Sequence, residues 1–206
     1  MSAKDTATAA DPHRSTLPPP PPARFDPNLF VPDDAQCFRY WEEFAMLDNV
    51  AEHSRMVAVV ATFLAKRAVD KGLDVDVPTV RASALLHDLA KTYCIEHGGN
   101  HSQIGAAWAM QLTNNPCIAH GVMHHVYWPF DLDIPNHFLP FCVLYADKRV
   151  SHDTIVDMEA RFVDLVERYG HTDAIKASIK VTHDQAVEIE RLMSELIGED
   201  LKCESF

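Results

Sequence analysis

From Asp33 to the end of the chain, apolar residues recur at spacings of three and four, the period of a helix with one buried face. Phe38, Trp41, Phe44 and Ala45 predict a short amphipathic helix over residues 34–46. Asn49 is placed to cap a long helix reaching Val69, whose inner face runs His53, Val57, Val60, Leu64, Ala68 before Gly72 stops it. Pro78 suits the first turn of a helix over 78–91, and Gly98-Gly99-Asn100 marks the loop after it. Further helices are expected over 101–112, 116–126, 136–152, 153–169 and 172–197, divided by Asn114-Asn115, by the loop from Trp128 to Pro135, and by Gly170. No alternating run of useful length and no internal repeat interrupts this pattern. An all-α domain, a single globular helical bundle, is the expectation.

Residues 1–33 follow another logic. Pro18 to Pro22 form an unbroken proline run, with Pro27 and Pro32 after it, favouring polyproline II and burying no core. The chain therefore divides into a flexible Pro-rich segment, 1–33, disordered or draped on the surface, and a helical domain, 34–206. The net charge of −12 lacks the basic stripe that a nucleic-acid polymer requires, so a small phosphorylated molecule is the expected partner and a polymer is not. No apolar run is long enough to span a membrane, and the N-terminus carries no apolar signal core. Five scattered cysteines without a Cys-x-x-Cys pair fit a reducing cytoplasm. A homo-oligomer is compatible with all of this.

Chemistry concentrates at Leu85-Leu86-His87-Asp88-Leu89-Ala90-Lys91. An imidazole and a carboxylate stand side by side at the end of an apolar run, and Lys91 lies one turn on, placed to clamp an anion. Six of the twelve histidines fall between His87 and His125. His53 lies on the buried seam of its helix, and Asp147 follows Val143 and Leu144 onto an inward face, where an unpaired carboxylate is costly. His53, His87, Asp88 and Asp147 can thus complete one metal site, with Asp88 bridging to a second ion held by His101 and by His124 or His125. His125 shares a face with Ile118 and Val122, and His124 with His120, so both remain candidates.

The ordered set His53, His87-Asp88, His101, His124-His125, Asp147 resembles the HD-domain superfamily of metal-dependent phosphohydrolases over roughly residues 45–170. The His-Asp-x-x-Lys form, the His101-x-x-x-Gly105-Ala106 element and the doubled histidine are most similar to its HDIG and HD-GYP branches and to HD-type diadenosine tetraphosphate hydrolases. Two departures stand out. Leu89-Ala90 replaces Ile-Gly after the His-Asp pair, and Val126-Tyr127-Trp128-Pro129 replaces the Gly-Tyr-Pro signature, which counts against cyclic-di-GMP as substrate.

The resemblance implies a mono- or dinuclear divalent centre, iron or manganese first, with zinc, nickel, magnesium or cobalt as alternatives. It implies hydrolysis of a phosphate ester or anhydride of a nucleotide or similar metabolite by a metal-activated hydroxide. Asp88 and Lys91 would be central to catalysis, and Lys91, Arg55 and Lys148, with Arg149, are candidate phosphate contacts. A mixed-valent diiron oxygenase and a non-catalytic metal-bound regulator are the rival readings on the same scaffold. Tyr127-Trp128-Pro129-Phe130 either walls the pocket or plugs the core.

Overall fold

The helices begin and end where side chains can satisfy their free backbone groups. Asp33 accepts from the Gln36 amide and opens α1 (Asp34–Glu43). Helix α2 (Asp48–Asp70) instead starts after Leu47, which offers no side-chain cap, so the expected Asn49 cap falls inside the helix. Asp76 caps α3 (Val77–Leu86), which has Pro78 in its first turn. The computed structural model describes residues 14–202 and Phe206. The start of the Pro-rich segment, 1–13, and Cys203 lie outside the described residues.

The helix expected over 78–91 ends early. After Leu86 the backbone tightens into turns, Leu89 N–H to Leu86 O at 3.1 Å and Lys91 N–H to Asp88 O at 2.9 Å, before α4 (Lys91–His97) restarts it. His87 and Asp88 therefore sit in a turn between two helices, not on a helix face. Asn100 caps α5 (His101–Thr113). Asn114, in the left-handed region at φ 49°, ends it. Asn115 then accepts from the Cys117 amide to open α6 (Pro116–His124). This two-residue connection folds α6 back along α5 and brings His101 to the same end as His125.

Helix α7 (Phe138–Lys148) stops four residues short of the expected 152. It is followed by a hairpin that the sequence pattern does not reveal, β1 (Val150–Ser151) with β2 (Thr154–Ile155), paired antiparallel with Val150 opposite Ile155. Two-residue strands are too short to show an alternating pattern. Helix α8 (Met158–Tyr169) thus starts at 158 and not 153, and α9 (Asp173–Ile197) closes the fold. Among the described residues the architecture is all-α apart from this hairpin.

Helix α2 lies along α3 and α7, α6 packs between α5 and both α3 and α7, and α9 covers α7 and α8. Leu64, Leu85, Leu86, Ile118, Phe141 and Leu144 are buried where these helices meet. Gly121 sets the closest approach, because a methyl group there would overlap Ser83 Oγ and meet Leu139 Cδ2 at 2.5 Å. The described part of the Pro-rich segment lies along the surface. Arg14 pairs with Asp131, Ser15 N–H reaches Pro129 O at 2.6 Å, and Asn115 Nδ2 donates to Phe30 O at 3.2 Å.

Candidate metal centre

The C-terminal ends of α3, α6 and α7 meet the second turn of α2 and the start of α5 at one end of the bundle. Three carbonyl ends converging on one spot favour positive charge there. At two of those ends the same local device appears. His87 Nδ1 lies 2.7 Å from Ala84 O, and His125 Nδ1 lies 2.7 Å from Val122 O, each three residues back. Each ring donates to a last-turn carbonyl, and Ala84 O accepts from the His87 amide as well, at a long 3.5 Å. On α2, His53 Nδ1 likewise meets His152 O at 3.1 Å. His152 holds φ 55° in the hairpin turn, so the hairpin supplies this carbonyl.

A carbonyl oxygen can only accept, so each Nδ1 carries a hydrogen and Nε2 is the nitrogen left to present a lone pair. Those lone pairs point at acceptors. His53 Nε2 is 2.9 Å from Asp147 Oδ1, and His87 Nε2 is 3.4 Å from Asp88 Oδ2 and 3.8 Å from Asp147 Oδ1. His125 Nε2 is 3.5 Å from Asp88 Oδ1, and His101 Nε2 approaches that same oxygen at 3.4 Å. His87 Nε2 and Asp88 Oδ1 are buried with no hydrogen-bond partner. Buried lone pairs facing one another require a cation between them. Two triads, His53–His87–Asp147 and His87–Asp88–His125, bring their ligand atoms within 4.8 Å of one another, the spread of one coordination sphere. Imidazole and carboxylate donors in this arrangement fit a divalent metal.

The electrostatics agree. Burial opposes charge on Asp88, yet Lys91, His87 and His125 hold its carboxyl well below the usual range. Asp147, equally buried, is held well below by Lys148, His53 and Arg161. Burial disfavours a charged His87, and the Asp88 and Asp147 carboxylates overcome it, raising the ring above its ordinary value. Without a metal, a proton on His87 supplies part of the missing positive charge. His101 is pushed down to about 4 by burial and by His125, and burial also lowers His125. Both rings are therefore neutral and able to donate a lone pair near pH 7.

Of the residues singled out from sequence, the structure joins His53, His87, Asp88, His101, His125 and Asp147. His124 is turned away, its ring 4.8 Å from Trp128 and 5.0 Å from His120. Trp128 is fully buried against Phe141 and His137, so the aromatic loop plugs the core. Lys91 Nζ meets Asp88 Oδ2 at 2.6 Å, and Lys148 Nζ meets Asp147 Oδ2 at 2.5 Å. Both line a cleft of about 530 Å³ that opens from the cluster toward Leu165, Tyr169 and Thr182. Arg55 lies apart, stacked 4.0 Å above Phe38 and paired with Glu52. Arg149 is engaged with the Tyr145 hydroxyl and with Val156 O, beneath the hairpin. Sequence reasoning misses Arg161, which lines the cleft from α8. It sits among the alternating charges of an amphipathic helix, and nothing there distinguishes it from a solvated arginine.

The sequence profile of the HD domain family matches residues 50–169. Among curated proteins, the chain is 33% identical over 99 residues to ribonuclease Y of Geobacter sulfurreducens, covering 48% of this chain and 17% of that protein. It is 38% identical over 77 residues to ribonuclease Y of Pseudothermotoga lettingae and 32% identical over 77 residues to that of Treponema pallidum, 37% of this chain and 14% of theirs in each case. The chain thus spans less than a fifth of the length of these relatives. No solved structure matches it. By their names these relatives act on RNA, which overturns the expectation that a nucleic-acid polymer is excluded as partner. The physical reason is that net charge averages over the whole surface, whereas a phosphodiester meets only the cleft, where Lys91, Lys148 and Arg161 gather.

Proposed function

Because the chain belongs to the HD domain family, we propose that it is a metal-dependent phosphohydrolase acting on a phosphate ester or anhydride of a nucleotide. The observation that carries this reading is the set of buried lone pairs, His87 Nε2 and Asp88 Oδ1 foremost, facing one another beneath a cleft lined with cations. His53, His87, Asp88 and Asp147 would hold one divalent ion, and Asp88, His101 and His125 a second. Iron or manganese suits this mixture of imidazole and carboxylate best. When bound, the metal supplies Lewis acidity and lowers the pKa of water at the site.

The chain's own residues do the rest. The carbonyls of Ala84, Val122 and His152 fix the tautomers and aim the rings in advance of any ligand. Lys91 is raised above its ordinary value, burial being outweighed by Asp88 and Asp147, so it stays charged and has no lone pair to take a proton. Its role is to hold a phosphoryl oxygen and offset the negative charge that grows there. Lys148, anchored on Asp147, presents a second positive charge to the same cleft. No described helix is long and apolar enough to cross a membrane, and Cys37, Cys94, Cys117 and Cys142 are free thiols, which favours work in the cytoplasm.

A second reading, cleavage of an RNA phosphodiester, is favoured by the names of the relatives. Metal-reconstituted protein should be screened against mononucleotides, dinucleoside polyphosphates, cyclic dinucleotides, a generic phosphodiester and short RNA. Turnover of at least one, lost in Asp88→Ala while the far-UV helical signal persists, supports the proposal. Full metal occupancy with no turnover of any member overturns it.

A further inference from the structure

Arg161 is 7% exposed, which is unusual for a guanidinium. Its Nη1 donates to Asp164 Oδ2 at 3.0 Å, and its buried Nε has no hydrogen-bond partner. Asp164 does not neutralise it alone, because the same oxygen lies 3.4 Å from Arg168 Nη1 and 3.3 Å from Ser151 Oγ. One carboxylate shared by two guanidiniums leaves excess positive charge, and an unpaired buried donor carries a desolvation cost that an anionic ligand would relieve. Arg161 lines the same cleft as Lys91, His101, Asp147 and Lys148. Its charge is felt at Asp147, yet no hydrogen bond joins the two. It thus stands beyond the ring of groups that touch the cluster carboxylates directly.

We propose that Arg161 binds a second phosphate of the substrate, one linkage away from the phosphate held at the metal cluster. This rests on the phosphohydrolase reading and narrows it to substrates with at least two phosphates in series. The cleft, at about 530 Å³, has room for such a molecule. Lys91 and Lys148 already serve the inner position through their contacts with Asp88 and Asp147. A planar guanidinium with a free Nε–H suits the oxygens of an outer phosphate better than an ammonium would. Two sources share that chemistry: an anhydride-linked phosphate, as in a nucleoside diphosphate, and the next phosphodiester of a strand.

The test is calorimetric and needs no turnover. Inorganic phosphate and pyrophosphate are titrated into the manganese-loaded full chain and into its Arg161→Gln and Arg161→Lys variants. The expected result is that pyrophosphate affinity falls roughly tenfold in Arg161→Gln while phosphate affinity changes by less than about threefold. Arg161→Lys should recover part of the loss, and it gives the same comparison if the glutamine variant fails to fold. Nucleoside diphosphate and 5′-phosphorylated dinucleotide arms then distinguish the sources, the true one showing the same selective loss. Equal weakening of phosphate and pyrophosphate would place Arg161 at the inner phosphate and overturn the proposal, and so would no weakening of either. Fully loaded wild-type protein that binds neither anion would instead remove the hydrolase reading itself.

Discussion

Asp88 Oδ1 and His125 Nε2 face each other across 3.5 Å, and neither has a hydrogen to offer, because Asp88 is an ionised carboxylate and the ring's proton is committed to Val122 O. The other oxygen of Asp88 faces His87. A carboxylate divided between two sets of imidazoles is built to bridge two ions. Elemental analysis of the reconstituted protein should therefore give about two metals per chain. His101→Ala should reduce this to about one, and Asp88→Ala should abolish tight binding of both. An unchanged metal ratio in His101→Ala would show that a single ion is held.

Much of this centre is legible in the amino-acid sequence, for a physical reason. His53 lies inside α2, and Asp147, in the last turn of α7, still follows the buried Val143 and Leu144 of an unbroken helix, so periodicity states which way each side chain points. At helix ends that information fails. His124 and His125 fall where α6 stops, and only the bond from His125 Nδ1 to Val122 O decides between them. The break after Leu86 is hidden in the same way, because Leu85, Leu86 and Leu89 are all buried and continue the helical pattern through the turn. The hairpin after α7 has strands too short for any pattern, and Arg161 is marked only by burial.

Filling the site should stabilise the fold, since the ligand set is assembled only in the native state. At a free metal concentration about a hundredfold above Kd, the gain is roughly 2.7 kcal/mol. For a chain of this size that raises Tm by about 5–10 °C. Asp147→Asn should bind the ion shared by His53 and His87 poorly and lose most of this rise, each protein being compared with its own metal-free form because the amide also leaves Lys148 without its carboxylate. Differential scanning calorimetry with and without chelator measures both. A rise retained in Asp147→Asn would exclude Asp147 as a ligand.

Gly121 governs how closely α6 approaches α3, and through that contact where His125 stands relative to His87, whose ring centroid is 4.8 Å away. Gly121→Ala places a methyl group into Ser83 and Leu139. Overpacking of this kind costs about 1–3 kcal/mol and displaces the helix. Urea denaturation should show the loss, and the variant should also bind less metal, although residue 121 touches no ligand atom. Adding Ser83→Ala removes the hydroxyl in the way and should recover part of both, at the cost of its hydrogen bond to Ile118 O.

His120 offers a pH effect separable from the metal. Burial and the neighbouring His137 push its ring down to about 4, and its Nε2 is buried without a hydrogen-bond partner, so the fold holds it neutral. In the unfolded chain the same ring titrates near 6.5, so between about 6.5 and 4 the unfolded state binds the extra proton. Stability therefore falls as pH drops through that window, by roughly 3 kcal/mol at most from this residue. His101 and His124, also near 4, act in the same direction, whereas His87, raised by Asp88 and Asp147, acts oppositely in metal-free protein. Comparing wild type with His120→Gln cancels the contributions of His101 and His87, while that of His124 shrinks in the variant because His120 helps to lower it, which adds to the same trend. The difference in unfolding free energy between the two should shift steadily in favour of the variant from pH 6.5 to pH 4, and a constant difference across that range would mean that His120 titrates alike in both states.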